Sequence, residues 1–164
     1  AAARDEIDVV FPIYNREGRG ILGGGPAEMA GAIAACHTAG KGVYLMKVLG
    51  GGTLFANYAG LVDHARHAVP SHSIAVGMVT EAEVDYNIAF FTGEAAGRPL
   101  PDLKGLEKQV KVVTGLCRGC GTCLPACHSA AITLSAGKAC IDTEACLRCG
   151  YCTAACPEFA IRVM

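Results

Sequence analysis

Eight cysteines form two runs near the C-terminus, Cys117, Cys120, Cys123, Cys127 and Cys146, Cys149, Cys152, Cys156, each spaced C-x2-C-x2-C-x3-C. The second run closes on Cys156-Pro157. Thiolates at this spacing are iron–sulfur ligands, and the chemistry they support is one-electron transfer. Zinc would favour two C-x2-C pairs building one tetrahedral site, and disulfides would favour an oxidising compartment. Neither accounts for four evenly spaced cysteines that recur at the same spacing. Outside the runs, Cys36 lies in an Ala-rich apolar stretch and reads as a small buried hydrophobe.

Every cysteine of the first run recurs 29 positions later, as do Gly121 in Gly150, Ala131 in Ala160 and Ile132 in Ile161. This is an internal duplication, and the Ala-Ile pairs predict two short strands packed over the cysteines. The segment resembles bacterial ferredoxins with two [4Fe-4S] clusters, over about residues 113–164. The resemblance implies crossed ligation, with cluster one on Cys117, Cys120, Cys123 and Cys156, and cluster two on Cys146, Cys149, Cys152 and Cys127. His128 departs from the duplicated pattern by standing where a proline follows the fourth cysteine of the second run. It removes a turn restraint and adds a titratable group beside the second cluster.

The rest of the chain must hold this module in place. At 164 residues, one domain or two small ones can bury about 70% of the unfolded surface. No apolar run approaches the roughly 20 residues of a membrane helix, and AAARDEID lacks the segments of a signal peptide. The expectation is a cytoplasmic protein in a reducing compartment, without a membrane span. Residues 1–104 carry a net −3 and residues 105–164 a net +2. With no Trp and no basic stripe, nucleic acid is not an expected partner, whereas an acidic redox partner protein suits the weakly basic cluster module.

Upstream, apolar runs alternate with helical patterns, the signature of βα units and a parallel sheet. Strands are predicted at Ile7 to Ile13, Val43 to Val48 and Ser73 to Val76. Helices are predicted from Pro26 to Gly40, from about Leu54 to Ala68 before Pro70, and from a Thr80/Glu83 capping box to Gly93. A linker with a short polar helix, from about Leu106 to Val113, leads into the cysteine module. The expected domains are 1–95, the linker and helix at 96–112, and 113–164.

MKVLGGGTL (Met46 to Leu54), SIAVGMVTEAEVDYNI (Ser73 to Ile88) and IDVVFPIYN (Ile7 to Asn15) resemble the last three βα units of the aldo-keto reductase barrel. The implied fold is α/β, a partial TIM-type barrel of three C-terminal βα units followed by a small α+β ferredoxin-like two-cluster domain. Independently of the family, a Gly-rich turn between strand and helix offers backbone N–H groups to an anion. Gly50, Gly51, Gly52 and Thr53 are therefore candidates for a nucleotide pyrophosphate. The resemblance adds Gly77, Met78 and Asn87, the last matching an adenine-contacting asparagine. Glu83 stands where an arginine would pair a 2′-phosphate, so NAD is expected over NADP. Met46 replaces a tyrosine that stacks on the nicotinamide in many members.

The family's catalytic tyrosine, lysine, aspartate and histidine lie on earlier strands with no counterpart here, so no catalytic residue is assigned. Three βα units cannot close a barrel, and their parallel edges call for cover. The chain is expected to be the C-terminal part of a longer oxidoreductase, or to have its sheet completed by another copy or subunit. The alternative is a stand-alone electron carrier or docking subunit of a larger redox complex, without nucleotide binding. Asp63, His64 and His67 share a helix but read as a solvated face, and Lys47 reads equally as a cofactor contact or a surface lysine.

Overall fold

The computed structural model describes residues 1–103 and 109–164. The chain divides into two compact units, Ala1–Glu107 and Lys108–Met164.

The first unit begins with β1 (Val9–Val10), α1 (Pro26–Thr38) and β2 (Gly42–Leu45), then α2 (Tyr58–Ala68), β3 (Ser73–Ile74) and α3 (Glu81–Thr92). The three strands are parallel and lie in chain order, with Val9 opposite Gly42 and Tyr44 opposite Ser73. The sheet is open, so what is built here is a small parallel βα layer and no closed barrel. The first strand is shorter than its apolar run because Pro12 has no N–H to donate. Its carbonyl still accepts from Met46 N at 3.0 Å, and a lone Ile13–Met46 bridge prolongs the pairing.

Local chemistry explains the helix ends. Pro26 opens α1, and the Glu28 carboxylate accepts from Gly25 N at 3.0 Å. Thr80 Oγ1 accepts from Glu83 N, while the Glu83 carboxylate accepts from Thr80 N, and Gly93 ends α3 at φ +84°. The expected start of α2 at Leu54 is displaced by two short 3-10 turns, Gly50–Gly52 and Phe55–Asn57. From there α2 buries Tyr58, Leu61, Val62 and Ala65, one stripe at helical spacing. That stripe packs with Ile33, Cys36, Val43 and Leu45 into the core of the unit, so Cys36 is the core residue its surroundings predict.

Tyr58 stands at the centre of this core. Its hydroxyl donates to Asn87 Oδ1, and the rings of Tyr86 and Phe90 meet it edge-on at 5.3 and 5.2 Å. Burial, with a smaller contribution from Tyr86, pushes its pKa up to about 12. The neutral phenol is the form the fold favours. Its stabilisation is fully present below the unfolded value near 10 and is lost as pH rises through about 12. We expect the melting temperature of the first unit to fall over that window, and Tyr58→Phe to flatten the fall. An unchanged slope in Tyr58→Phe would assign the alkaline loss to other groups.

The second unit contains β4 (Val110–Val112), β5 (Ile132–Ser135), β6 (Lys138–Ile141), α4 (Tyr151–Ala155) and β7 (Ile161–Val163). The strands form two antiparallel pairs, β4 with β7 and β5 with β6. The helix expected from Leu106 to Val113 gives way to a strand over Val110–Val112. Residues 106–108 lie outside the described residues, and Val110–Val112 is strand, because its alternating Val-Lys-Val pairs with Ile161–Val163.

The pairing carries the duplication further than the cysteines do. Val112 faces Ile161 as Ile141 faces Ile132, and Val110 faces Val163 as Ala139 faces Leu134. Shifting each member of the first pairing by 29 gives the second with the strand roles exchanged. The two halves are thus related by a pseudo-twofold that swaps them.

Candidate metal centre

The core of the second unit is small, and cysteines make up much of it. Cys117, Cys123 and Cys152 are buried beside Val110, Ile132, Ala160 and Ile161, and Cys127, Cys146 and Cys156 pack against them. A unit of about 60 residues is marginal on apolar burial alone. Here the ligating side chains themselves fill the centre, which couples folding to what they hold.

The backbone turns around the sulfurs in two matching copies. Gly119 (φ +68°) and Arg148 (φ +53°), Gly121 (+77°) and Gly150 (+83°), and Ala130 (+52°) and Phe159 (+49°) are pairs 29 residues apart, all left-handed. Left-handed residues amid right-handed turns aim successive N–H groups inward and make a concavity suited to anions and iron–sulfur groups. The donors reach sulfur: Ala131 N to Cys127 Sγ and Ala160 N to Cys156 Sγ, both 3.3 Å, and Arg148 N to Cys146 Sγ, 3.4 Å. Ala139 N adds a bond to Cys117 Sγ at 3.4 Å.

Cys117, Cys120, Cys123 and Cys156 line one small cavity, closed over by Ile161 and Ala139. Cys156 comes from the second run, so this gathering crosses the halves. On the other side Cys152 has its pKa raised by burial and then by the neighbouring Cys127, Cys146 and Cys149. Cys123 is raised in the same way, by burial and then by Cys156, Cys117 and Cys120. Cys117 is held below the usual thiol range by the N–H groups of Ala139 and Gly119, with Lys138 assisting. The Thr122 hydroxyl and N–H lower Cys120.

Among the described residues, no group of three His, Cys, Asp or Glu could hold a single metal ion. Four of the sulfurs line one small cavity, and the N–H donors suit thiolates carrying net negative charge. The buried Thr153 Oγ1 lacks a hydrogen-bond partner among the described residues, a donor left over for an acceptor such as sulfide. The donor set fits [4Fe-4S] groups. Cys120 and Cys149 are the exposed members of the two runs, the edges at which an electron would enter or leave. His128 lies edge-on to the exposed Tyr151 ring, 5.3 Å between centroids. A tenth cysteine, Cys140, stands exposed in β6 beyond both runs, so Cys36 is not alone outside them. Its identity was legible in the sequence; its exposure was not.

The nucleotide candidates are differently placed. Gly50–Gly52 form a 3-10 turn in which Gly50 N donates to Lys47 O at 2.8 Å and Gly52 N to Leu49 O at 2.9 Å. Thr53 Oγ1 donates to Gly50 O at 2.8 Å. Much of the expected cradle therefore closes on itself. Asn87 is buried, bonded to the Tyr58 hydroxyl and, at 2.7 Å, to Glu83 O. Glu83 is buried too, its carboxylate accepting from Val79 N and Thr80 N at 2.8 and 3.0 Å. It fills the helix N-terminus that a phosphate would use and so acts as a cap, not as a repelling charge at a 2′-phosphate. Gly77 and Met78 are exposed in the loop between β3 and α3. Lys47, at φ +60°, gives its carbonyl to Asn15 Nδ2 at 3.1 Å. Buried Asn15 also accepts from Arg19 N at 2.9 Å, which braces this loop edge, a role the sequence did not signal.

Among the described residues, no helix is long and apolar enough to cross a membrane. No curated protein matches the chain. Residues 116–160 match the family model of the 4Fe-4S dicluster domain, which supports electron transfer through an iron–sulfur cluster.

Proposed function

We propose that the chain carries electrons through two [4Fe-4S] clusters held by crossed ligand sets, within an oxidoreductase whose other part is aldo-keto-reductase-like. The observation that carries the electron-transfer part is the cavity shared by Cys117, Cys120, Cys123 and Cys156. When bound, each cluster supplies a one-electron couple. The chain's own residues do the rest. The N–H groups of Ala131, Ala139, Arg148 and Ala160 offset the negative charge on sulfur. Ile132 and Ile161 keep water from the buried side. Exposed Cys120 and Cys149 offer two edges to a redox partner protein.

The first unit supports the oxidoreductase part through its three parallel βα units in chain order. Val9 and Phe11 are exposed on the β1 edge beside an apolar groove of about 570 Å³ lined by Ile7, Pro12, Met29 and Ala32. A further polypeptide segment, subunit or second copy that completes the sheet would cover it. A second reading, a docking or carrier subunit without NAD, is favoured by the inward-turned Asn87 and the self-capping Glu83.

Two measurements test these readings. Anaerobic reconstitution of the full chain is expected to give about eight iron atoms per polypeptide. A ratio near zero would end the two-cluster reading. Equilibrium dialysis against NAD separates the other two, since retention supports the oxidoreductase and its absence supports the docking subunit.

A further inference from the structure

The internal repeat places matched residues beside equivalent sulfurs, so each difference between the halves acts on one ligand set. Thr122 and Tyr151 are one such pair, and Lys138 and Gln109 another. Thr122 Oγ1 lies 3.2 Å from Cys120 Sγ. A metal-bound thiolate has no proton, so the hydroxyl is the donor. Tyr151 instead presents a ring that is 61% exposed, edge-on to His128, with its hydroxyl at the end remote from the backbone. The Lys138 ammonium donates to the carbonyl of Cys117, which places its charge beside that ligand. The matched Gln109 is neutral.

Around the first run, Arg118 pairs with Glu158 at 3.3 Å, and Glu158 also lines the cavity, so its carboxylate partly opposes Lys138. In the turn before Cys146, Asp142 occupies the place of Val113, and Arg148 stands in the place of Gly119. Asp142 is held in that turn, its carboxylate accepting from Glu144 N at 2.9 Å and its carbonyl from Cys146 N at 3.0 Å. Against this, the unpartnered Thr153 hydroxyl follows Cys152 where the first half has Leu124, a donor on the side of the second set. Hydrogen bonds to sulfur and local positive charge both favour the reduced, more negative state.

We propose that the two ligand sets are unequal, the set of Cys117, Cys120, Cys123 and Cys156 being the higher-potential site, with Thr122 and Lys138 as the residues that raise it. The inference rests on the two-cluster reading above. An electron taken from a one-electron donor comes to rest on this set, and the second set is reduced only at lower potential. Cys120 is then the edge at which a first electron is held, and Cys149 the edge of the more strongly reducing site.

The test is a redox titration of the anaerobically reconstituted full chain, followed by voltammetry and by the paramagnetic resonance of the reduced form, with iron content measured on the same sample. Two separate one-electron waves are expected. Thr122→Val should lower the upper wave by about tenfold in its reduction equilibrium, about 59 mV, and leave the lower one in place. Thr122→Ser, which keeps the hydroxyl, should leave both in place. Lys138→Gln should again lower only the upper wave, and Tyr151→Thr should raise only the lower. About eight irons with a single merged wave, or a Thr122→Val shift confined to the lower wave, would overturn the inference while leaving the two-cluster reading intact. Iron near zero would overturn both.

Discussion

A chain carrying both Cys117→Ser and Cys156→Ser is expected to retain about four iron atoms, whereas Cys117→Ser with Cys127→Ser should retain almost none. The reason is the proposed crossing. Cys117 and Cys156 line the same cavity although they belong to different runs, so a second substitution there removes nothing further. Cys127 lies with Cys146, Cys149 and Cys152, so its loss strikes the other set. If each run held its own cluster the outcomes would reverse, the first double variant losing both clusters and the second keeping one. Iron analysis on the two proteins, purified anaerobically in parallel, decides between them. The effect should extend to folding. Much of the buried centre of the second unit is sulfur, and the variant that loses both clusters is expected to lose cooperative melting of that unit.

Gly119→Ala is expected to destabilise the second unit by about 3–5 kcal/mol and to abolish stable iron incorporation. A Cβ at this position would lie 2.1 Å from Gly137 O and 2.8 Å from its carbonyl carbon, a collision with backbone that no rotamer relieves. Gly137 sits in the tight turn between β5 and β6, so relief would have to come from moving that hairpin, and with it Ala139, a donor to Cys117 Sγ. Gly150→Ala is the control. Its φ of +83° gives the same left-handed strain, but the nearest side-chain atom, Val163 Cγ2, is at 3.7 Å, an ordinary contact. It should cost only about 1–2 kcal/mol. Thermal unfolding of the reconstituted proteins measures the difference, and equal losses would show that dihedral strain alone, not the hairpin contact, makes Gly119 necessary.

The same comparison explains why the duplication is only partly legible. Arg148 occupies the position of Gly119 at φ +53°, so the backbone shape is conserved between halves while the residue is not. A repeat search on residue identity finds the cysteines, Gly121 with Gly150 and the Ala-Ile pairs. It cannot find Ala130 with Phe159, or the strand Val110–Val112, whose partner Ile161–Val163 is at the far end of the unit. Local pattern read the residues before Val113 as helix because strand pairing across some fifty positions has no local signature.

In the first unit, caps and stops were readable because they are chemistry between near neighbours. Pro26, the Thr80/Glu83 box and Gly93 stand where the helix ends require them. The surroundings of the nucleotide candidates were less legible for the complementary reason. Whether Asn87 faces a ligand or Tyr58 depends on where α2 packs, and α2 lies 29 residues upstream of that contact. Glu83, read both as the capping partner of Thr80 and as a charge facing a 2′-phosphate, satisfies its own helix.

What the sequence by itself determined is the chemistry, eight thiolates at iron–sulfur spacing in two copies, because ligand type and spacing are properties of the covalent chain. The tertiary structure decided which thiolates meet, which backbone N–H groups reach them, and which of two matched positions offers a hydroxyl or a cation. These depend on the antiparallel pairing of β4 with β7 and β5 with β6, which brings Cys156 beside Cys117 across 39 positions of chain that no local preference relates.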